Sequence, residues 1–405
     1  MTSFDRVTEV FDQVAKAQPR GGLAFSATVG GQPVLDLVAG EARPGVPWTT
    51  STAICTMSVA KGFAGLVAAM LVDRGQLELD VPVTTYWPEF GRHGKEVITP
   101  RQVLLHTAGV LGLPDVHATL GSGATAWTDL DAIAAALADA RPAWQPGTRY
   151  GYHAVSYGWL VGELVRRIDG RTLGTFFHQE VATPLGVDTA IGIDEATFRG
   201  LADMHNDSST TGDSAVMKLL MRRTGKLARQ RDSLLGQAFL GDGSTSLLER
   251  ADQVVSHPDW FRAEVPSSNG VTSAQDLARV FAALACGGEL DGHRLLSKET
   301  LALFATPQFS KPDVVMLSGF APLLRPLLSS KVSYPKTLGW MGNAPKKGWG
   351  ALGPSSRAIG AAGLGGHVVM ADPDARVSAA FVRSDFGPSQ KPQEQLLRAL
   401  YCCVS

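Results

Sequence analysis

In the stretch Thr56-Met57-Ser58-Val59-Ala60-Lys61-Gly62, a serine and a lysine stand three residues apart at the head of an apolar run, Phe63 to Val72. The length and composition of that run predict a buried helix. Positions i and i+3 share a helical face, so the Ser58 hydroxyl and the Lys61 amine are expected side by side. An alcohol is too weakly acidic to attack a carbonyl unaided, and a lysine can act as its base only where the surroundings favour the neutral amine. The apolar run supplies a desolvating wall. At a helix N-terminus the serine's own N–H is also free to meet an oxyanion, and the helix dipole favours that charge. Ser-x-x-Lys alone is a weak signal, and the chain holds a second copy, Ser333-Tyr334-Pro335-Lys336. Pro335 disfavours the helical pairing there, so the second copy is discounted.

With 405 residues, 44% hydrophobic and 19% charged, the chain can bury a large core. A net charge of -1 gives no basic field for phosphate backbones, so nucleic-acid binding is not expected. The first residues include Asp5 and form no apolar signal segment, and no stretch is long and apolar enough to span a bilayer. A cytoplasmic location is therefore the expectation, with self-association left open. Cys55, Cys286, Cys402 and Cys403 lack metal-ligand spacing, so reduced thiols, no metal site and no cofactor are expected. Cys55, three residues before Ser58, reads as a small buried residue.

Around the Ser58 helix, the apolar spacing of Val7, Val10, Phe11 and Val14 predicts an amphipathic helix over 5–17. Residues 21–40 read as two strands joined at Gly30-Gly31, and Gly75 should end the Ser58 helix. Thr99-Pro100 reads as the cap and first position of a short helix that ends in a loop at Thr107-Ala108-Gly109. His106 is read as structural, because the serine and lysine already supply nucleophile and base. After the Pro146-Gly147 turn, Tyr150, Tyr152, His153 and Tyr157 crowd the mouth of an apolar helix. A tyrosine placed against a lysine can pass a proton to a leaving group. The texture of 205–265 suggests a lid or cap, and 307–335, punctuated by five prolines, an irregular wall. Residues 358–386 read as two strands with an Asp372-Pro373-Asp374 turn, and 392–403 as a closing helix.

The ordered set of Ser58-x-x-Lys61, Leu105-His106-Thr107-Ala108-Gly109, Pro146-Gly147 followed by Tyr152, and Gly363-Leu364-Gly365-Gly366 with Asp372-Pro373 resembles the serine β-lactamase-like, penicillin-recognising family. The likeness lies with the branch holding class C β-lactamases, D-alanyl carboxypeptidases and family VIII esterases, and covers nearly the whole chain. It implies an α/β sandwich: an antiparallel sheet flanked by the N- and C-terminal helices, plus an all-helical subdomain. By position, 1–75 and 266–405 would form the α/β part, 76–204 the helical part and 205–265 an insertion. The resemblance makes Ser58 the nucleophile, Lys61 its base and Tyr152 the tyrosine of the family's Tyr-x-Asn motif, whose asparagine is here Ala154. The family's Lys-Thr-Gly falls on Ala361-Ala362-Gly363. Its lysine is missing, and a neutral alanine cannot hold a substrate carboxylate. Gly363 survives, so the Leu364 N–H can still face an oxyanion beside that of Ser58.

Together these readings predict a serine carboxylesterase acting on small uncharged esters through an acyl-Ser58 intermediate. An acyltransferase would use the same intermediate with a different acceptor. A β-lactamase or carboxypeptidase-like amidase, or an inactive binding module, are the remaining alternatives.

Overall fold

The computed structural model describes residues 4–18, 20–120, 125–205, 223–249, 254–320, 322–346, 350–385 and 391–404. Gly22–Val29 (β1) and Gln32–Arg43 (β2) form the expected hairpin, with Gly30 and Gly31 at φ 59 and 85. Both turn positions need positive φ, which glycine adopts without a steric penalty. Val46–Pro47 (β3) adds an edge to β2. Two short ribbons stand apart: Ile54–Cys55 (β4) with Val271–Thr272 (β5), and Glu289–Leu290 (β6) with His293–Arg294 (β7). Then follow Phe309–Pro312 (β8), Ser333–Lys336 (β9), Met341–Gly342 (β10), Ile359–Gly363 (β11), His367–Asp372 (β12) and Val377–Arg383 (β13). They complete a nine-stranded sheet in the order β3-β2-β1-β13-β12-β11-β10-β9-β8, with every pairing antiparallel.

The central strands β1, β12 and β13 are buried on both faces, and period-two alternation sorts their side chains. Leu23, Phe25, Met370, Val377 and Phe381 meet Val7, Phe11 and Val14 of the helix Asp5–Ala17 and Leu396, Leu397 and Leu400 of the helix Lys391–Val404. The intervening Ala24, Val369, Ala371, Ala380 and Val382 join the larger core on the other face. That face carries the helices Ala274–Ala285 and Ala60–Asp73. In the latter, every residue from Ala60 to Leu71 is buried, as an all-round apolar helix requires. Its far side meets the helical stretches, with the Phe63 and Phe177 rings 4.9 Å apart. Thr99 caps the helix Pro100–Leu104 through a full capping box with Gln102.

The proline-rich segment departs from expectation. Instead of an irregular wall over 307–335, the chain forms β8, a short helix Val314–Ser318 and β9. β8 is the sheet's edge, where Pro312 is tolerated, and β10 reaches β9 only at Lys336, so Pro335 loses no ladder bond on that side. Of the segment read as a lid, 206–222 and 250–253 lie outside the described residues; helices Leu234–Ala238 and Pro258–Arg262 are present in the remainder. No described helix is long and apolar enough to cross a membrane.

Gly65 marks where the Ser58 helix touches the turn between β9 and β10: a Cβ there would lie 2.8 Å from Gly339 O and 2.9 Å from Gly339 Cα. Gly65→Ala should therefore destabilise the fold by about 1–3 kcal/mol, read as a lower urea midpoint. Gly200→Ala, where a Cβ would meet nothing within 4 Å, is the control and should leave the midpoint unchanged.

Candidate active site

Ser58 sits in a 3-10 turn, Met57–Val59, that runs directly into the helix Ala60–Asp73. Met57 holds φ 51, a left-handed backbone that a non-glycine residue adopts under strain, immediately before Ser58. The turn is held by the loop before β5: the Thr56 N–H and hydroxyl both donate to Gly270 O, at 2.9 and 3.0 Å. The three-residue spacing brings Lys61 Nζ to 3.3 Å from Ser58 Oγ. Tyr152 O–H donates to the same Oγ at 2.8 Å, and Lys61 Nζ lies 4.7 Å from the Tyr152 ring centre.

Lys61 has two further contacts, to Ala154 O at 2.7 Å and Ser267 O at 2.8 Å. Those carbonyls call for two N–H donors, the number a neutral amine has. Its lone pair then faces the Ser58 hydroxyl, the arrangement of a base. The electrostatics agree: burial, and then the charge of Lys336, hold the amine well below its ordinary value. Burial pushes the Tyr152 phenol up to about 12, against the Ser58 bond that lowers it, so it remains a neutral donor.

β11 closes the other side. A Cβ on Gly363 would lie 2.2 Å from Thr56 O and 3.3 Å from Ser58 N, so only glycine lets the strand end approach the Ser58 turn this closely. Leu364 follows it, 43% exposed, with its N–H bonded to no backbone oxygen among the described residues. Ala361 is buried against Gly62, where an added Cβ would come within 3.2 Å of the alanine's own. Helix packing therefore fills the place where the family resemblance puts a lysine.

The beta-lactamase family model matches residues 7–401. The chain belongs to the beta-lactamase family. Its relatives include the esterase/beta-lactamase LipL of Mycobacterium tuberculosis, 31% identical over 94% of this chain and 81% of that protein. Among solved structures, a penicillin-binding protein homologue from Caulobacter crescentus is 31% identical with a TM-score of 0.80, covering 99% of this chain and 97% of its own. A family VIII carboxylesterase is 29% identical with a TM-score of 0.81 and the same coverage.

Within this family member, the remaining sequence candidates sort by burial and bonding. His106 is structural: its Nδ1 accepts the His153 N–H at 3.2 Å and its ring stacks on Tyr157 at 4.6 Å. Tyr157 is fully buried in the helix Ser156–Asp169, and Tyr150 lines the adjoining wall. His153 donates through Nδ1 to Gly151 O at 2.7 Å, and burial holds it down to about 4. His367 is sealed at the start of β12 and held down to about 3 by burial and Arg383. Burial pushes the Cys55 thiol up to about 12, which makes it an inert packing group.

Sequence reading missed three contributors. Ser267 supplies the second carbonyl to Lys61, and its hydroxyl accepts the Gly158 N–H at 2.7 Å. Asp313 is buried, and its Oδ1 accepts from the N–H groups of Tyr152, Val315 and Met316, tying the Tyr152 backbone to the helix Val314–Ser318. Its only sequence signal is that of a helix cap. Lys336, the lysine of the discounted second motif, lies with Nζ 4.9 Å from the Tyr150 ring centre.

Gly363→Ala should push β11 away from the Ser58 turn. The expected result is a loss of about 10²-fold or more in kcat for a p-nitrophenyl ester, the scale of one misplaced oxyanion donor. A kcat within about threefold of the wild type would show that this contact does not position the site.

Proposed function

We propose that this family member hydrolyses small uncharged esters through an acyl-Ser58 intermediate. Serine ester hydrolase function is supported by family membership and by relatives named esterase and carboxylesterase. The observation that carries the reading is the single point at Ser58 Oγ where the Lys61 amine and the Tyr152 hydroxyl converge, at 3.3 and 2.8 Å.

In this reading Lys61 takes the Ser58 proton as Oγ attacks the ester carbonyl carbon. The N–H groups of Ser58 and Leu364 receive the oxyanion at the positive end of the Ser58 helix. When the tetrahedral species collapses, the C–O bond to the alcohol breaks and the Tyr152 hydroxyl gives that oxygen its proton. The proton held by Lys61 restores the phenol. Water then attacks the acyl-serine by the same route in reverse, with Lys61 again accepting a proton and Ser58 regaining one. The preference for uncharged esters rests on Ala361, buried where the resemblance implies a carboxylate-binding cation.

Three measurements check this. A fluorophosphonate probe should add one adduct, mapped to Ser58 by mass spectrometry and absent in Ser58→Ala; a full-stoichiometry adduct elsewhere would sink the assignment. Tyr152→Phe should lower kcat by about 10²–10⁴-fold, while Tyr150→Phe and Tyr157→Phe change it by less than about tenfold. Nitrocefin should be turned over far more slowly than a short p-nitrophenyl ester, and comparable rates would remove the role given to Ala361.

A further inference from the structure

Lys336 ends β9, paired with Phe309 of β8 on one side and Met341 of β10 on the other. Its side chain is carried inward. The residue is only 8% exposed, and among the described residues no oxygen lies within hydrogen-bond or ion-pair distance of its Nζ. A lysine this far buried, with no protein acceptor for its ammonium among the described residues, is costly, and such groups concentrate where a site uses them. A line of rings leads from it to the reacting atoms. Lys336 Nζ is 4.9 Å from the Tyr150 ring centre, Tyr150 lies 6.4 Å from His106, His106 lies 5.6 Å from Tyr152, and Lys61 Nζ is 4.7 Å from the Tyr152 ring.

We propose that Lys336 is a positioning residue of this site: its ammonium, lying against the Tyr150 ring, supplies the positive charge that disfavours a second positive charge on Lys61. The inference rests on Lys61 being the base of the proposed reaction. The titratable groups around Lys61 are Tyr152 and His153 from the loop after Gly147, His106 from the end of the helix Pro100–Leu104, Tyr157 from the helix Ser156–Asp169, and Lys336. Asp313 stands behind Tyr152. Both histidines are held neutral by burial, and both tyrosines keep their protons, so Lys336 is the cation of this group. Asp313, the carboxylate that faces it, is engaged by three backbone N–H groups. A like charge in a weakly polar interior disfavours the charged form of its neighbour, and here it adds to the larger effect of burial on Lys61. Burial brings Lys336 itself down to about 8, against the attraction of Asp313. It therefore carries its charge below about pH 8, the range in which Lys61 would otherwise take up a proton.

The test is the pH profile of kcat/KM on an uncharged p-nitrophenyl ester, so that Lys336 cannot act by attracting the substrate. Lys336→Met and Lys336→Gln should each move the acid limb to higher pH by about one unit, the scale of a lost like charge, and their rates should converge with wild type above about pH 8. Lys336→Arg, which keeps the charge, should hold the limb at its wild-type position. Having two neutral variants keeps the test standing if one fails to fold. Neutral variants whose limbs coincide with wild type, or an arginine variant that shifts as they do, would overturn the inference while leaving the esterase reading intact. Full activity in Lys61→Ala would instead overturn that parent reading and this inference with it.

Discussion

The site depends on how one buried amine is held. Lys61 Nζ is fixed by the carbonyls of Ala154 and Ser267, and its remaining direction points at Ser58 Oγ. Each carbonyl comes from a different loop, so the amine is held this way only when both loops close on the Ser58 helix. Glycines at the crossings permit that closure. A Cβ on Gly158 would fall 2.3 Å from Ser267 N, and one on Gly363 would fall 2.2 Å from Thr56 O. Backbone must meet backbone at both places, and any side chain would separate the elements that hold the amine.

Much of this was legible because it is local. The spacing of Ser58 and Lys61, the Gly30-Gly31 hairpin, the Thr99 cap and the distinction between Tyr152 in the loop and Tyr157 in the helix follow from periodicity and turn chemistry over a few residues. What escaped is long-range. Ser267 meets Lys61 across 206 positions and Asp313 meets Tyr152 across 161, and in each pairing one partner is a backbone group, which carries no residue-type signal. The segment 307–335 holds strands where its prolines suggest an irregular wall, because proline opposes a strand only where a ladder bond is lost. At an edge strand and beside a barely paired neighbour they displace little hydrogen bonding.

Lys336 shows how a motif can be rightly dismissed and its residue still matter. Pro335 does prevent a helical serine-lysine pair: Ser333 and Lys336 lie on β9, and Ser333 Oγ donates to Ser329 O instead. The strand nonetheless delivers the lysine behind Tyr150. Dismissing a pattern removes the geometry the pattern implies and says nothing about where a fold carries each member.

The same burial sets function against stability. Lys61, Lys336, His106, His153 and His367 all hold protons less readily in the folded chain than they would when exposed. Wherever the unfolded chain binds protons that the folded chain refuses, stability falls as pH falls. For Lys336 that loss develops between its ordinary 10.5 and about 8, and for His153 between 6.5 and about 4. Below each lower value the penalty is complete and constant. Asp313 runs the opposite way in pH: burial raises its carboxyl, so the fold holds that proton more readily than the unfolded chain does, and stability is lost as pH rises from the ordinary carboxylate range through the raised value. Keeping a buried lysine neutral thus costs part of the fold's stability at neutral pH, and the large two-faced core around the sheet is what lets the chain carry it.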